Sequence, residues 1–178
     1  MRVIAGRLRG RRLFAARGRG VRPTADRVRE ALFSILAGAV ADARVLDLYA
    51  GTGALAIEAL SRGAREATCV ERDPDALAAL ERNIEKLELT GRLRIMRADA
   101  LETCRRLAAE RDAYDVVLCD PPYRMPLAPL GPALVAAAWW TTVVALEHAA
   151  GDEPPPAPED VTMDARRYGD TAVTLYWR

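Results

Sequence analysis

The sequence predicts an α/β protein: a mostly parallel central sheet with helices on both faces, a C-terminal antiparallel hairpin and a small N-terminal β-hairpin extension. Three observations carry that expectation. Short apolar runs at residues 45–48, 67–71, 93–98, 114–119 and 141–146 alternate with stretches at helical spacing, the alternation that builds parallel sheets. A glycine loop, Gly51-Thr52-Gly53, joins the first run to the helix after it. Residues 161–168 and 171–177 alternate apolar and polar around Gly169-Asp170, as a closing hairpin does. At 178 residues the chain can bury one sizeable core but not two ordinary domains and a linker. One domain over residues 23–178 and a basic arm over residues 1–22 are expected.

The arm comes first. The net charge of +1 hides an asymmetry: residues 1–22 hold eight arginines and no acid, which leaves 18 bases against 25 acids in the rest. A basic arm on an acidic body is the footprint of a polyanion partner. Val3, Leu8, Leu13 and Phe14 stand among these arginines with Gly6 and Gly10 at bend positions, so a short, irregular hairpin is expected, followed by a flexible loop over residues 17–22. Arg7, Arg9, Arg11 and Arg12 are candidates for phosphate contacts, which position a nucleic acid without reading its sequence. An ordinary solvated basic segment is the competing explanation.

Pro23-Thr24 opens a helix over about residues 25–37, with Thr24 as N-cap and Val28, Ala31, Leu32, Ile35 and Leu36 on one stripe. Arg22, Arg27 and Arg29 lie near its start, where a helix N-terminus also favours anions. The run at 45–48 then leads through Tyr49 into G-T-G-A-L-A, which satisfies the dinucleotide fingerprint and would serve a nicotinamide cofactor as well as S-adenosylmethionine. Asp47 discriminates between them. Four residues before Gly51, it would repel a pyrophosphate and suit the amino group of a methionine moiety.

Glu71 ends the second strand twenty residues after Gly51, where an acid can hold ribose hydroxyls. Pro74 starts the next helix, with Leu77, Leu80, Ile84 and Leu87 on its buried face, and Asp99 ends the third strand, able to accept from an adenine amino group. Both acids could instead be favourable helix starts. A helix over residues 101–110 leads to the fourth strand, which stops at Asp120-Pro121-Pro122-Tyr123. Two prolines make a stiff elbow with fixed φ and no N–H. Asp120 and the Pro121 carbonyl can then accept from an exocyclic amino group while Tyr123 stacks on its ring; a plain Pro-rich turn is the alternative. Pro126, Pro129 and Pro132 delay the next helix, placing a loop that could close over the substrate before a short helix near residues 133–139.

Other classes are set against these features. No apolar stretch approaches the roughly 20 residues of a membrane span, and the N-terminus lacks a signal-peptide core, so a cytoplasmic protein is expected. Cys69, Cys104 and Cys119 read as reduced core thiols, and no metal site is expected with one histidine and no C-x-x-C. That histidine, His148, reads as a surface or edge residue without a role. The acidic Pro-rich segment 151–160 reads as a loop.

With both motifs in place, the chain resembles the class I S-adenosylmethionine-dependent methyltransferases, with their Rossmann-like fold, and among them the RsmD family. RVIAGRLRGRRL, RPTADRVREALFSIL, LDLYAGTGALAIEALSRGA, VERD and DPPY carry the likeness, the N-terminal pieces most specifically. The resemblance implies methyl transfer from S-adenosyl-L-methionine to N2 of a guanine in 16S ribosomal RNA, of the guanine-966 type. It implies that Asp47, Gly51 and Gly53 hold the methionine portion, Glu71 the ribose, and Asp99 with the Ala100 amide the adenine, with Tyr49, Thr52 and Arg72 also among the cofactor-binding residues. Asp120, Pro121, Pro122 and Tyr123 would take the target base, and Arg7, Arg9, Arg11, Arg12, Arg22 and Arg27 the RNA. The partner would be 16S ribosomal RNA or the small ribosomal subunit, met by a monomer. Another amino-group methyltransferase, acting on DNA adenine or protein glutamine, stays open, as does a nicotinamide-dependent oxidoreductase.

Overall fold

The computed structural model describes residues 1–15, 23–123, 125–135 and 139–178, with residues 23–25 described by backbone alone. The expected N-cap side chain of Thr24, the loop at residues 17–22 and Arg22 therefore lie outside the described residues. Helices α1 (Pro23–Ile35) and α2 (Ala37–Val40) precede β1 (Arg44–Leu48), and α3 (Ala54–Ser61), β2 (Glu66–Glu71), α4 (Pro74–Lys86), β3 (Leu93–Arg97), α5 (Ala100–Glu110) and β4 (Tyr114–Cys119) follow. A single π-helical turn, Gly131–Val135, leads to β5 (Trp140–Ala149), and β6 (Thr162–Tyr168) and β7 (Thr171–Trp177) close the chain.

These strands form one sheet in the order β3-β2-β1-β4-β5-β7-β6. The first five run parallel, and β7 enters antiparallel between β5 and β6. The apolar residues of each central strand alternate between two cores because successive side chains leave opposite faces of a pleat. Val45, Val116, Leu118, Val143 and Ala145 join Val28, Leu32, Phe33, Ile57, Leu60 and Leu80 beneath α1, α3 and α4. Leu46, Leu48, Val117, Cys119, Val144 and Leu146 join Cys104, Leu107, Leu134 and Trp139 on the α5 side. Strand order reverses between β1 and β4, and open α/β sheets bind ligands in the crevice beyond the strands' carboxyl ends at such a point.

The N-terminal hairpin is minimal. One antiparallel bridge joins Arg2 to Arg12, and Gly6 and Gly10 turn the chain at φ +79° and +81°. Across the hairpin the Val3, Gly10 and Leu13 N–H groups donate to the Arg11, Val3 and Met1 carbonyls, and the turn between them bonds to α3: Ile4 and Ala5 donate to the Glu58 carboxylate, Leu8 to Ser61 Oγ and Arg7 to the Ser61 carbonyl. Val3, Leu8 and Leu13 are buried in the α3-side core. Residues 1–15 are thus a docked segment on which Arg7, Arg9, Arg11 and Arg12 are exposed, Arg11 also reaching the Lys86 carbonyl of α4.

One local expectation is refined and another corrected. The loop after Tyr123 is present, but Leu127 and Leu130 anchor it to the α5-side core, and the short helix expected near residues 133–139 is a π-helical turn over Gly131–Val135, with residues 136–138 outside the described residues. His148 is no surface residue. It is 6% exposed on β5, with Nδ1 at 2.9 Å from the Ala149 carbonyl and Nε2 at 2.9 Å from Thr174 Oγ1 on β7, so the sheet consumes both ring nitrogens. The cysteines are buried and free, and no helix among the described residues is long and apolar enough to cross a membrane.

Candidate active site

Register brings the two candidate motifs together. In the parallel pairing of β1 with β4, Asp47 lies opposite Leu118 and Leu48 opposite Cys119, so the Asp120 elbow leaves β4 just beyond the end of β1. The Asp120 N–H donates to the Leu48 carbonyl at 3.4 Å, which pins the elbow there. On the other side of β1, the Ala50 N–H donates to the Val70 carbonyl of β2 and the Gly53 N–H turns back to Ala50. Tyr49, Gly51 and Gly53 all take left-handed backbone, with φ of +61°, +56° and +79°. For Gly53 there is a second reason to be glycine: a Cβ would stand 2.4 Å from Leu80 Cδ1. At Gly51 a Cβ would meet nothing within 4 Å, so its backbone faces open space on the crevice side.

Asp47 is the anomaly of the site. It is 1% exposed, Oδ2 accepts the Ala56 N–H at 3.0 Å near the start of α3, and Oδ1 has no partner. Burial, opposed by the Ala56 bond and reinforced by the nearby Asp120 and Glu71 charges, pushes its carboxyl up to about 8. A buried acceptor left unpaired costs roughly 1–3 kcal/mol, so such a group marks a place where a donor belongs. The only other unpaired buried side-chain atom among the described residues is Arg29 Nε, in a guanidinium whose Nη2 donates to the Arg2 carbonyl and to Asp26.

The remaining candidates sit around this point. Glu71 accepts from the Gly51 N–H at 2.7 Å through Oε2 and from the Arg72 and Asp73 N–H groups through Oε1, using three of a carboxylate's roughly four acceptor positions. Asp99 caps α5, accepting from Leu101 and Glu102, and its Oδ2 receives Arg72 Nη1 at 3.0 Å. The helix-start explanation therefore describes Asp99 in this state, and a base would have to exchange with Arg72. Tyr49 is half-buried beside the α5-side core, and burial pushes its hydroxyl well up. Ala100 is buried in the first turn of α5.

On the β4 side, Asp120 is exposed, Pro121 buried and Pro122 exposed. Tyr123 is 44% exposed, and its hydroxyl lies 2.9 Å from Thr171 Oγ1 at the start of β7. That bond leaves the ring of Tyr123 at the surface beside the crevice, not packed in the interior. A separate cavity of about 230 Å³ opens at the opposite, amino ends of β1 to β3, lined by Arg44, Glu66, Thr68, Arg92 and Arg94. There Arg44 is paired with Glu66 and Asp112, and Arg92 donates to the Ala64 and Arg65 carbonyls, which accounts for those two arginines structurally. Among the described residues no group of histidine, cysteine, aspartate and glutamate could hold a metal ion.

Sequence reasoning missed the residues that seat the N-terminal segment. Glu58, a charge inside the otherwise apolar ALAIEALS helix, is wholly buried, and Asn83 occupies a buried place on α4 between Leu80 and Ile84. In both cases the available signal was a polar residue in an apolar stripe.

Comparison with known proteins agrees with the architecture. The family profile described as conserved hypothetical protein 95 matches residues 1–177. Ribosomal RNA small subunit methyltransferase D of Escherichia coli is 42% identical over 124 residues, which are 70% of this chain and 61% of that protein, so the match spans less than two thirds of the relative's length. The solved structure of the E. coli protein yhhF superposes with a TM-score of 0.85 at 34% identity, covering 100% of this chain and 97% of that one. A hypothetical protein from Thermus thermophilus gives 0.81 at 31% identity over 98% of each chain. A profile match over nearly every residue, with the N-terminal segment included, leaves one conclusion: the chain belongs to the conserved hypothetical protein 95 family, the RsmD family that its motifs resemble.

Proposed function

We propose that the protein is an S-adenosyl-L-methionine-dependent methyltransferase acting on the exocyclic N2 of a guanine in small-subunit ribosomal RNA. The observation that carries the reading is the unpaired, buried Oδ1 of Asp47 on the strand next to the Asp120 elbow. An ammonium group is the donor it lacks, and the amino group of a methionine moiety supplies one. When bound, the cofactor offers a methyl group on a cationic sulfur. Asp47 would hold the amino group, the loop backbone at Gly51 would approach the methionine portion, Glu71 with Arg72 would face the ribose, and Asp99 with the Ala100 amide would face the adenine.

Guanine N2 is a weak nucleophile because its lone pair is delocalised into the ring. The protein must hold it in line with the methyl group and stabilise the positive charge that grows on it. The Asp120 carboxylate and the Pro121 carbonyl accept its two hydrogens, orienting the lone pair and favouring that charge. Pro121 and Pro122 keep these acceptors rigid. The Tyr123 ring, held through its hydroxyl by Thr171, stacks on the extruded base and offsets part of an unstacking cost of a few kcal/mol. The arginines of residues 7–12, with Arg27, would meet the phosphates.

The likeness to the E. coli small-subunit methyltransferase supports the substrate class. The test is methyl transfer from labelled S-adenosylmethionine to small ribosomal subunits, naked ribosomal RNA, DNA and a protein release factor, with nucleoside analysis of the product. N2-methylguanine in the small-subunit RNA is the expected result. Label in DNA adenine or protein glutamine would move the reading to those substrates, and binding of a nicotinamide cofactor in its place would overturn it.

A further inference from the structure

Resting on that reading, we infer that Asn83 is a positioning residue that ties the basic N-terminal segment to the glycine loop, so that polyanion binding on the segment and methyl-donor binding at the loop strengthen each other. Asn83 is wholly buried on α4 and makes three hydrogen bonds to two separate chain segments. Its Oδ1 accepts the Phe14 N–H at 2.7 Å, and its Nδ2 donates to the Phe14 carbonyl at 3.1 Å and to the Thr52 carbonyl at 3.0 Å. The orientation of this amide is set by chemistry: an N–H must meet its oxygen and two carbonyls must meet its NH2. Phe14, at the end of the docked segment, thus aims the donor that holds Thr52, in the middle of the glycine loop.

The surroundings strengthen the link. The Phe14 ring lies 3.9 Å from the Arg82 guanidinium carbon and 4.7 Å from Lys86 Nζ. Lys86 Nζ donates to the Arg12 carbonyl, and Arg11 Nη2 donates to the Lys86 carbonyl. Residues 11–14 are therefore clamped to the same turn of α4 that carries Asn83, and the exposed arginines 7, 9, 11 and 12 belong to the clamped segment. A phosphate backbone held by those arginines restrains the segment, which restrains the amide of Asn83 and with it Thr52. A ligand that orders the loop restrains the segment in return. Linkage requires each ligand to tighten the other by the same factor.

The measurement is the dissociation constant of S-adenosylhomocysteine for the full chain, with and without a small-subunit ribosomal RNA fragment, in wild type and in Asn83→Asp. The expected wild-type result is tightening of about fivefold or more in the presence of RNA. In Asn83→Asp, whose carboxylate would face the Phe14 and Thr52 carbonyls, the factor should fall to about one. Equal tightening in wild type and variant would overturn the role of Asn83, and no mutual tightening in wild type would overturn the linkage while leaving the methyltransferase reading intact. Failure of wild type to bind S-adenosylhomocysteine at all would remove that reading, and the inference with it. A second readout needs no variant: exchange of the Phe14 amide hydrogen should slow when S-adenosylhomocysteine binds wild type without RNA, and an unchanged rate would overturn the inference.

Discussion

Glu58 and Asp47 are both sealed from solvent, one on α3 and the other on β1, yet their surroundings differ in kind. Glu58 receives the Ile4 and Ala5 N–H groups and the Arg62 guanidinium, so each of its oxygens is engaged. Asp47 receives one N–H and keeps an orphan oxygen, with two more acids nearby. Burial alone says nothing about function. A buried carboxyl with its donors in place fastens one part of the fold to another, whereas a buried carboxyl kept short of donors can seat a ligand that brings one. The N-terminal segment is the first case and the crevice is proposed as the second, with Asp47 and Glu58 eleven residues apart in the chain.

The contrast is most easily broken at the seam. Glu58→Ala would leave two N–H groups and a guanidinium without their acceptor, and Gly6→Ala would place a Cβ 1.9 Å from the Ser61 carbonyl at φ +79°. Each should lower unfolding free energy by about 3 kcal/mol or more in urea titrations. In the crevice, Asp120→Ala should cut methyl transfer by about 10²-fold or more while S-adenosylhomocysteine binding stays close to wild type. Loss of binding and transfer together would make Asp120 a structural residue.

Replacing Arg7, Arg9, Arg11 and Arg12 with alanine should lower thermal stability only slightly, because their side chains and the Arg11–Lys86 bond are exposed, and should reduce the slope of log affinity against log salt for RNA binding by about one at most per lost contact. An unaltered slope would remove the segment from the RNA interface. The smallest effect sharpens the comparison most. The folded Asp47 value of about 8 stands above its ordinary 3.8, so between these pH values the folded state holds a proton that the unfolded chain has lost. Stability therefore falls as pH rises through that window, and the penalty is complete above it. Asp47→Asn, which keeps an acceptor for Ala56, should raise the melting temperature by about 2 °C or more at pH 9 and weaken S-adenosylhomocysteine binding.

Most of the fold could be read from the chain. The strand runs, the glycine loop, Pro74 at a helix start and the final hairpin declare themselves through local spacing, and their order forces the crevice to the carboxyl ends of β1 and β4. Asp47 and Asp120 could be named for the same reason. What could not be read depends on contacts between distant residues. That residues 1–15 dock on α3 and α4 follows from Glu58, Ser61 and Asn83, whose partners lie more than fifty positions away. His148 looked exposed because nothing in the sequence shows that β7 inserts next to β5 and brings Thr174 to its ring. That the loop after Tyr123 is held down on the core could not be read, because Leu127 and Leu130 obey no helical or strand period.

Whether the unpaired Asp47 oxygen seats the cofactor's amino group is tested most directly by a carbon-13 titration of the Asp47 carboxyl. Alone, the group should titrate near 8; with S-adenosylhomocysteine bound, the paired ammonium should hold it ionised far below that, so that affinity rises as pH climbs from about 6 to about 8. An Asp47 carboxyl that titrates identically with and without the ligand would contradict the account.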